Sequence, residues 1–205
     1  MFILGMEHLW NIILTNATKY NMKQTILSQI DIYEGEIKMP KFFDINRSEL
    51  KADILESYVT QNVRSNNKLD YASMDYNLPY SKSLHMLKTY IVEHSKLHYN
   101  HTLVPLESFG NILNSNQQSF SRTMINPIDL LHSPDYTMMY GVDVQPNSSS
   151  LVIEYNNNRK VNNKRFFKIK NNCYIIFPSV LQSFITANNS SKQNIFLTVN
   201  FERFD

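Results

Sequence analysis

The chain has 205 residues, 42% of them hydrophobic, and its 20 basic and 18 acidic side chains leave a net charge of +2. That length suits one compact domain with an extension, and 12 Phe and 12 Tyr supply a largely aromatic core. The near balance of charge excludes a broad electropositive face, the single cysteine, Cys173, excludes an internal disulfide framework, and no apolar run is long enough to span a membrane.

In residues 1–40, Ile13, Ala17 and Tyr20 can line one helical face, and Gly35 and Pro40 punctuate the end. The apolar opening Met-Phe-Ile-Leu-Gly-Met has no basic residues before it and no small-residue cleavage site, so it is not expected to be a signal peptide. From Phe42 to Val63, Leu50, Ile54, Leu55, Tyr58 and Val59 recur at helical spacing, with the start placed at Ser48. Arg64–Asp70 has the composition of a polar loop. The clearest helix is Ser81–His98: Pro79 precedes it, Ser81 or Ser83 can cap it, and Leu84, Leu87, Ile91 and His94 form its stripe. Between Asn100 and Asp135 there is little periodicity, and Asn126-Pro127 and Ser133-Pro134 mark turns.

From Tyr136 onward the chain reads as strands: Tyr136–Val144, Leu151–Tyr155, Phe166–Ile169, Cys173–Phe177, Ser183–Thr186 and Asn194–Phe201. Each is short, rich in β-branched and aromatic residues, and bounded by Asn, Ser, Pro or Gly. The basic run Arg159-Lys160-Val161-Asn162-Asn163-Lys164-Arg165 falls between two of them and reads as a solvated hairpin tip. Cys173 reads as a small strand-core thiol. His94 and His98 are four residues apart on the second helix, a spacing that can bind zinc. Near a helix C-terminus the plainer expectation is a pair of imidazoles whose charged form the dipole favours. With only four glycines there is no phosphate-cradling loop, and no Gly-x-Ser-x-Gly elbow occurs.

The order of the last strands resembles the closing half of the double-stranded β-helix of the 2-oxoglutarate/Fe(II) oxygenases, and most closely the oxygenase-like proteins of marine tailed phages. The resemblance is carried by Phe177-Pro178-Ser179, the Asn188-Asn189 turn and the closing Thr198-Val199-Asn200-Phe201. It implies a mainly β jelly roll in residues 105–205, with a helical or mixed region, 1–104, packed outside it as part of one compact domain. A His-x-Asp or His-x-His pair and a distant His are the family's metal ligands, and an Arg opening the last strand holds 2-oxoglutarate.

Placed on that pattern by spacing, the first pair falls at Leu130 and His132, the distant His position holds Ser183, and the Arg position holds Asn194. Gln182 beside Ser183 is expected to face the other way, because strand side chains alternate. One ligand of three and no co-substrate charge remain. The expectation is therefore a non-enzymatic structural protein of a phage virion, from its neck, tail or baseplate, with no cofactor and no metal. It would assemble in the host cytoplasm and pair with other virion proteins or with copies of itself. Phe2, Trp10, Arg159, Lys160, Lys164 and Arg165 are its candidate contacts. Two alternatives stand beside it. One is an active Fe(II)/2-oxoglutarate-dependent hydroxylase with relocated ligands drawn from His132, Asp129 or Asp135, and a further His such as His101. The other is a carbohydrate-binding jelly roll with aromatic stacking platforms.

Overall fold

Two antiparallel sheets face each other, and two helices cover the outer face of the larger one. This computed structural model describes residues 29–64, 76–99, 102–158 and 161–204. The chain divides into two units, Met1–Ile30 and Asp31–Asp205, and the architecture below is that of the second. In chain order it runs β1 (Tyr33–Glu36), a 3-10 turn (Pro40–Phe43), α1 (Arg47–Arg64), β2 (Tyr76–Asn77), α2 (Lys82–Tyr99) and β3 (Thr102–Leu113). Then follow β4 (Tyr136–Asp143), β5 (Ser150–Asn158), β6 (Val161–Lys168), β7 (Cys173–Pro178), β8 (Gln182–Ile185) and β9 (Asn194–Phe204).

The larger sheet has the order β1-β7-β4-β9-β3-β2 and the smaller one β6-β5-β8. A further segment extends the smaller sheet on the free side of β8. Ser119 donates its N–H to the Ile185 carbonyl at 3.1 Å, Arg122 and Ser183 exchange backbone hydrogen bonds at 3.1 and 2.9 Å, and Met124 donates to the Ser179 carbonyl at 3.0 Å. Residues 119–124 therefore act as a fourth, irregular strand. The central four strands β7-β4-β9-β3 face the four-stranded set 119–124, β8, β5 and β6, which is the jelly roll that the last strands foretold.

Burial on both faces explains why the strands of the larger sheet read as nearly continuous apolar runs. Met138, Tyr140, Val142, Leu197 and Val199 point to the helices and join Leu50, Ile54, Leu84, Leu87 and Ile91 in one cluster. Met139, Ile175, Phe177 and Phe196 point the other way and meet Leu151, Ile153, Phe167 and Ile185 of the smaller sheet. The helices carry the spacing that makes this possible, with Leu50 and Ile54 on α1 and Leu84, Leu87 and Ile91 on α2 repeating every three or four residues. The cap of α1 is Asn46 rather than Ser48: its side-chain oxygen accepts the Ser48 N–H at 3.0 Å. Ser81 caps α2 through the Leu84 N–H at 3.3 Å, as its position before the apolar stripe predicts. Gly110 lets α1 approach the sheet, since a Cβ there would lie 2.5 Å from a methyl carbon of Ile54.

The stretch read as aperiodic, 100–135, contains β3, whose twelve residues pair with β9 from Thr102↔Phe204 to Leu113↔Asn194. A bulge between Pro105 and Ser108 breaks its alternation, which removes the sequence signal. β3 runs across residues 104 and 105, where the helical region was expected to give way to the jelly roll. Among the described residues no helix is long and apolar enough to cross a membrane.

On the outer face of the sheet, the His94 Nδ1 lies 2.8 Å from the Tyr174 hydroxyl, and the ring stacks on Tyr90 and lies beside His98. Burial, and then the neighbouring His98, push His94 below the ordinary imidazole value near 6.5. The sequence suggested the opposite, a dipole-stabilised cation; loss of hydration and a second imidazole outweigh the helix end. The unfolded chain then takes up this proton at a higher pH than the native one. The stability contribution is thus present above pH 6.5 and is lost as pH falls from there through the native value. The unfolding midpoint is expected to drop on acidification from pH 7.5 to 5.5, and His94→Leu to flatten that drop. An unchanged pH profile in the variant would assign the dependence to other groups.

Candidate functional site

The jelly roll converges its polar residues at two places. The first is the end where β7 finishes and β4 begins. Thr137, Ser179 and Asn200 are buried there, and the Thr137 hydroxyl lies 2.7 Å from that of Ser179 and donates to the Asn200 side-chain oxygen at 3.0 Å. These come from three adjacent strands of the larger sheet, β4, β9 and the turn after β7. Each hydroxyl is held by another protein group, as buried polar groups require. Across the interior stands Ser183 on β8, buried and aligned with Ile153 of β5. Gln182 beside it is exposed, in keeping with the expected alternation.

The residue paired with Ser183 on its other side is Arg122. Residues directly opposite in an antiparallel pair share a face, so Arg122 stands on the same side of the smaller sheet as Ser183. The sequence reading did not single out Arg122. Its only available signal was the short turn Asn114–Gln117 after β3, which returns the chain at once into the sheet; there the Asn114 N–H is received by the Gln117 side-chain oxygen at 2.8 Å.

Leu130 and His132 stand elsewhere, in the loop that leads into β4. Leu130 is 65% exposed, and the His132 side chain is 78% exposed. The His132 Nδ1 lies 2.9 Å from both carboxylate oxygens of Asp129. Asp135, at the end of the same loop, accepts the Arg203 N–H at 2.7 Å. The loop thus joins His132 to Asp129 but does not carry Leu130 or His132 into the buried setting of Ser183. His101 lies outside the described residues.

The second polar centre is Asn194, fully buried at the start of β9. Its side-chain oxygen accepts the Gln145 N–H at 2.9 Å, and its amide nitrogen donates to the hydroxyls of Ser148 and Ser149, both at 2.8 Å. Where the resemblance puts a carboxylate-binding Arg, the chain has an amide that pins the β4–β5 loop.

These strand positions do not fit Fe(II). Ser183 offers a neutral hydroxyl, Arg122 a cation and Asn194 an amide already saturated by its neighbours. Among the described residues no three His, Cys, Asp or Glu side chains converge as a metal site would require. Cys173 offers no thiolate, because burial, and then Glu36, raise its pKa.

Of the expected contact residues, Phe2, Trp10, Arg159 and Lys160 lie outside the described residues. Lys164 is tied to Glu154 at 2.6 Å and sits over the Phe184 ring, 5.4 Å from its centroid, while Arg165 is exposed on β6.

No family model and no curated protein matches the chain. Solved structures do. AviO1 of Streptomyces viridochromogenes shares 9% identity at a TM-score of 0.60, over 85% of this chain and 90% of its own. The α-ketoglutarate-dependent carbocyclase SnoK of nogalamycin biosynthesis shares 8% at 0.59, over 83% and 78%. A Pseudomonas putida prolyl-4-hydroxylase shares 11% at 0.56, over 87% and 96%. At such identities the likeness establishes the fold, which is that of the 2-oxoglutarate/Fe(II) oxygenases. It overturns two expectations drawn from the sequence, the non-enzymatic virion building block and the absence of any cofactor. Two of these neighbours are a prolyl-4-hydroxylase and a carbocyclase, and nothing among the three points to a structural protein of a virion. Two metal-ligand positions, Leu130 and Ser183, and the co-substrate position, Asn194, lack the residues the resemblance calls for, and their absence alone does not establish loss of function for the whole chain.

Proposed function

We propose that the chain is an Fe(II)/2-oxoglutarate-dependent oxygenase of relocated ligand set, acting on a carbon–hydrogen bond of its substrate with decarboxylation of 2-oxoglutarate. The observation that carries this reading is the strand arrangement, in which β7-β4-β9-β3 faces 119–124, β8, β5 and β6. It is the framework on which the neighbouring prolyl-4-hydroxylase and carbocyclase work. On this reading Ser183 does not ligate the metal and Asn194 does not hold the 2-oxoglutarate carboxylate. Asp129 and His132, already joined at 2.9 Å, supply the His and carboxylate types that Fe(II) takes, and the third ligand comes from outside the described residues, with His101 the candidate.

The test is an anaerobic Fe(II) titration of the purified protein with 2-oxoglutarate present, followed by aerobic assay for succinate. A saturable metal-to-ligand charge-transfer band is expected, together with succinate that depends on both Fe(II) and protein. His132→Ala should weaken metal binding at least tenfold, since even outer partners of metal ligands change affinity by that much. Absence of both band and succinate would overturn the reading.

A further inference from the structure

A cleft of about 690 Å³ opens between the β4–β5 loop and the β6–β7 turn, and its lining contains two lysines and no carboxylate. Lys168 and Lys170 flank the buried Ile169, and both are exposed. Among the described residues neither lies within ion-pair distance of an acid. An anion seated between two ammonium groups is attracted by both of them. Lys168 and Lys170 also border an adjoining cleft of about 480 Å³, where Arg165 adds a third cation and Glu34 an acid.

The walls of the first cleft are fixed before any ligand arrives. The Val144 N–H is received by the Asn171 side-chain oxygen at 2.7 Å, and the Asn172 N–H by the Gly141 carbonyl at 3.0 Å. Only glycine allows this crossing, since a Cβ on residue 141 would lie 2.1 Å from the Lys170 carbonyl oxygen. On the other wall, Asn194 holds Gln145 and Ser149, and the Ser148 hydroxyl closes the loop on the Gln145 carbonyl at 2.6 Å. Ser149 accepts from Asn194 and so keeps its own proton to donate. Val144 and Ile169, both buried, give the cleft an apolar floor. Fixed walls, an apolar floor and two cations in a lining that holds no acid make a site for a small anionic molecule with a hydrocarbon body.

We propose that this cleft binds a small organic anion, bearing a carboxylate or a phosphate, through Lys168 and Lys170. The site is separate from the Asp129–His132 loop and does not depend on the oxygenase reading. The full chain in metal-free buffer is titrated calorimetrically with succinate and with inorganic phosphate, with sodium chloride at matched ionic strength as reference. Saturable binding beyond the chloride reference is expected for at least one probe, and which probe binds assigns carboxylate or phosphate. Lys168→Gln with Lys170→Gln should weaken it at least tenfold, while Lys168→Arg with Lys170→Arg should keep it within a fewfold. Both lysines are exposed, so circular dichroism melts of the variants should match the parent. No saturation beyond chloride with either probe, or equal affinity in the Gln variant, overturns the proposal. Because no iron is present, either outcome is independent of the Fe(II) titration.

Discussion

Asn194→Arg is expected to destabilise the protein by about 3–5 kcal/mol, the cost of leaving a buried charge without a partner. The residue is fully buried, and its three hydrogen bonds go to Gln145, Ser148 and Ser149, none of which carries a charge. A guanidinium there would also break the bonds that fix the β4–β5 loop and leave the Gln145 N–H without its acceptor, a further loss of about 1–3 kcal/mol. Together these approach the 5–15 kcal/mol of a whole domain, so the variant should unfold at a far lower urea concentration than the parent. The experiment bears on function as well as stability, because Arg is the residue the resemblance puts at this place. A variant that folds with the parent's midpoint would mean that the interior keeps room and counter-charge for an arginine, contrary to the arrangement described above. Asn194→Ala separates the two causes. It removes the hydrogen bonds and adds no charge, and it should cost only the smaller of the two amounts.

Phe177→Ala is expected to cost about 3–5 kcal/mol. Phe177 is fully buried between the two sheets, in the cluster with Met139, Leu151, Ile153 and Phe196. Strands of both sheets hold the walls of that site through their ladders, so the cavity left by the ring cannot collapse without breaking backbone hydrogen bonds. Leu131→Ala is the matched control. Leu131 is 85% exposed in the loop before β4, and its truncation should stay within about 0.5 kcal/mol. Equilibrium urea unfolding of the two variants measures both. Comparable losses would place Phe177 outside the structural core.

The His94 and Lys168/Lys170 experiments concern opposite kinds of environment. His94 loses hydration against α2 and the sheet, so its protonation opposes folding. The lysines stay exposed to water, so their charge is open to a ligand and to screening by salt.

Much of the architecture was legible in the chain itself. Strands β4, β7 and β9 announce themselves because they are buried on both faces, and a doubly buried strand must be a short unbroken run of apolar residues, as Tyr-Ile-Ile-Phe and Ile-Phe-Leu-Thr-Val are. The helices announced themselves through Leu50 and Ile54, and through Leu84, Leu87 and Ile91, because one face of each meets the sheet and the other meets water. Local residue types and their periods were enough for these, since the pattern records which side is dry.

What the sequence left open was decided by pairing across long stretches of chain. β3 is hidden in the sequence by its bulge, and residues 119–124 by their irregular hydrogen bonding, so the partner of Ser183 could not be identified without the sheet that brings Arg122 opposite it. Spacing along the chain grouped His132 with Ser183 in the expected ligand set; the fold puts it on a solvent-facing loop with Asp129, because loop length does not fix where a side chain ends up. The polarity of Asn194 was visible from the start, but not that its three partners come from residues 45 to 49 positions earlier. The cleft beside it was equally invisible. Lys168 lies within the strand read at Phe166–Ile169 and Lys170 just after it, and nothing in the sequence marks them as a pair; Gly141 and Asn171 hold the turn that carries Lys170 against the β4–β5 loop. The sequence by itself therefore determined which segments must be dry, through hydrophobic periodicity. Only the tertiary structure decided which polar groups meet, because that depends on backbone pairing between residues remote in the chain.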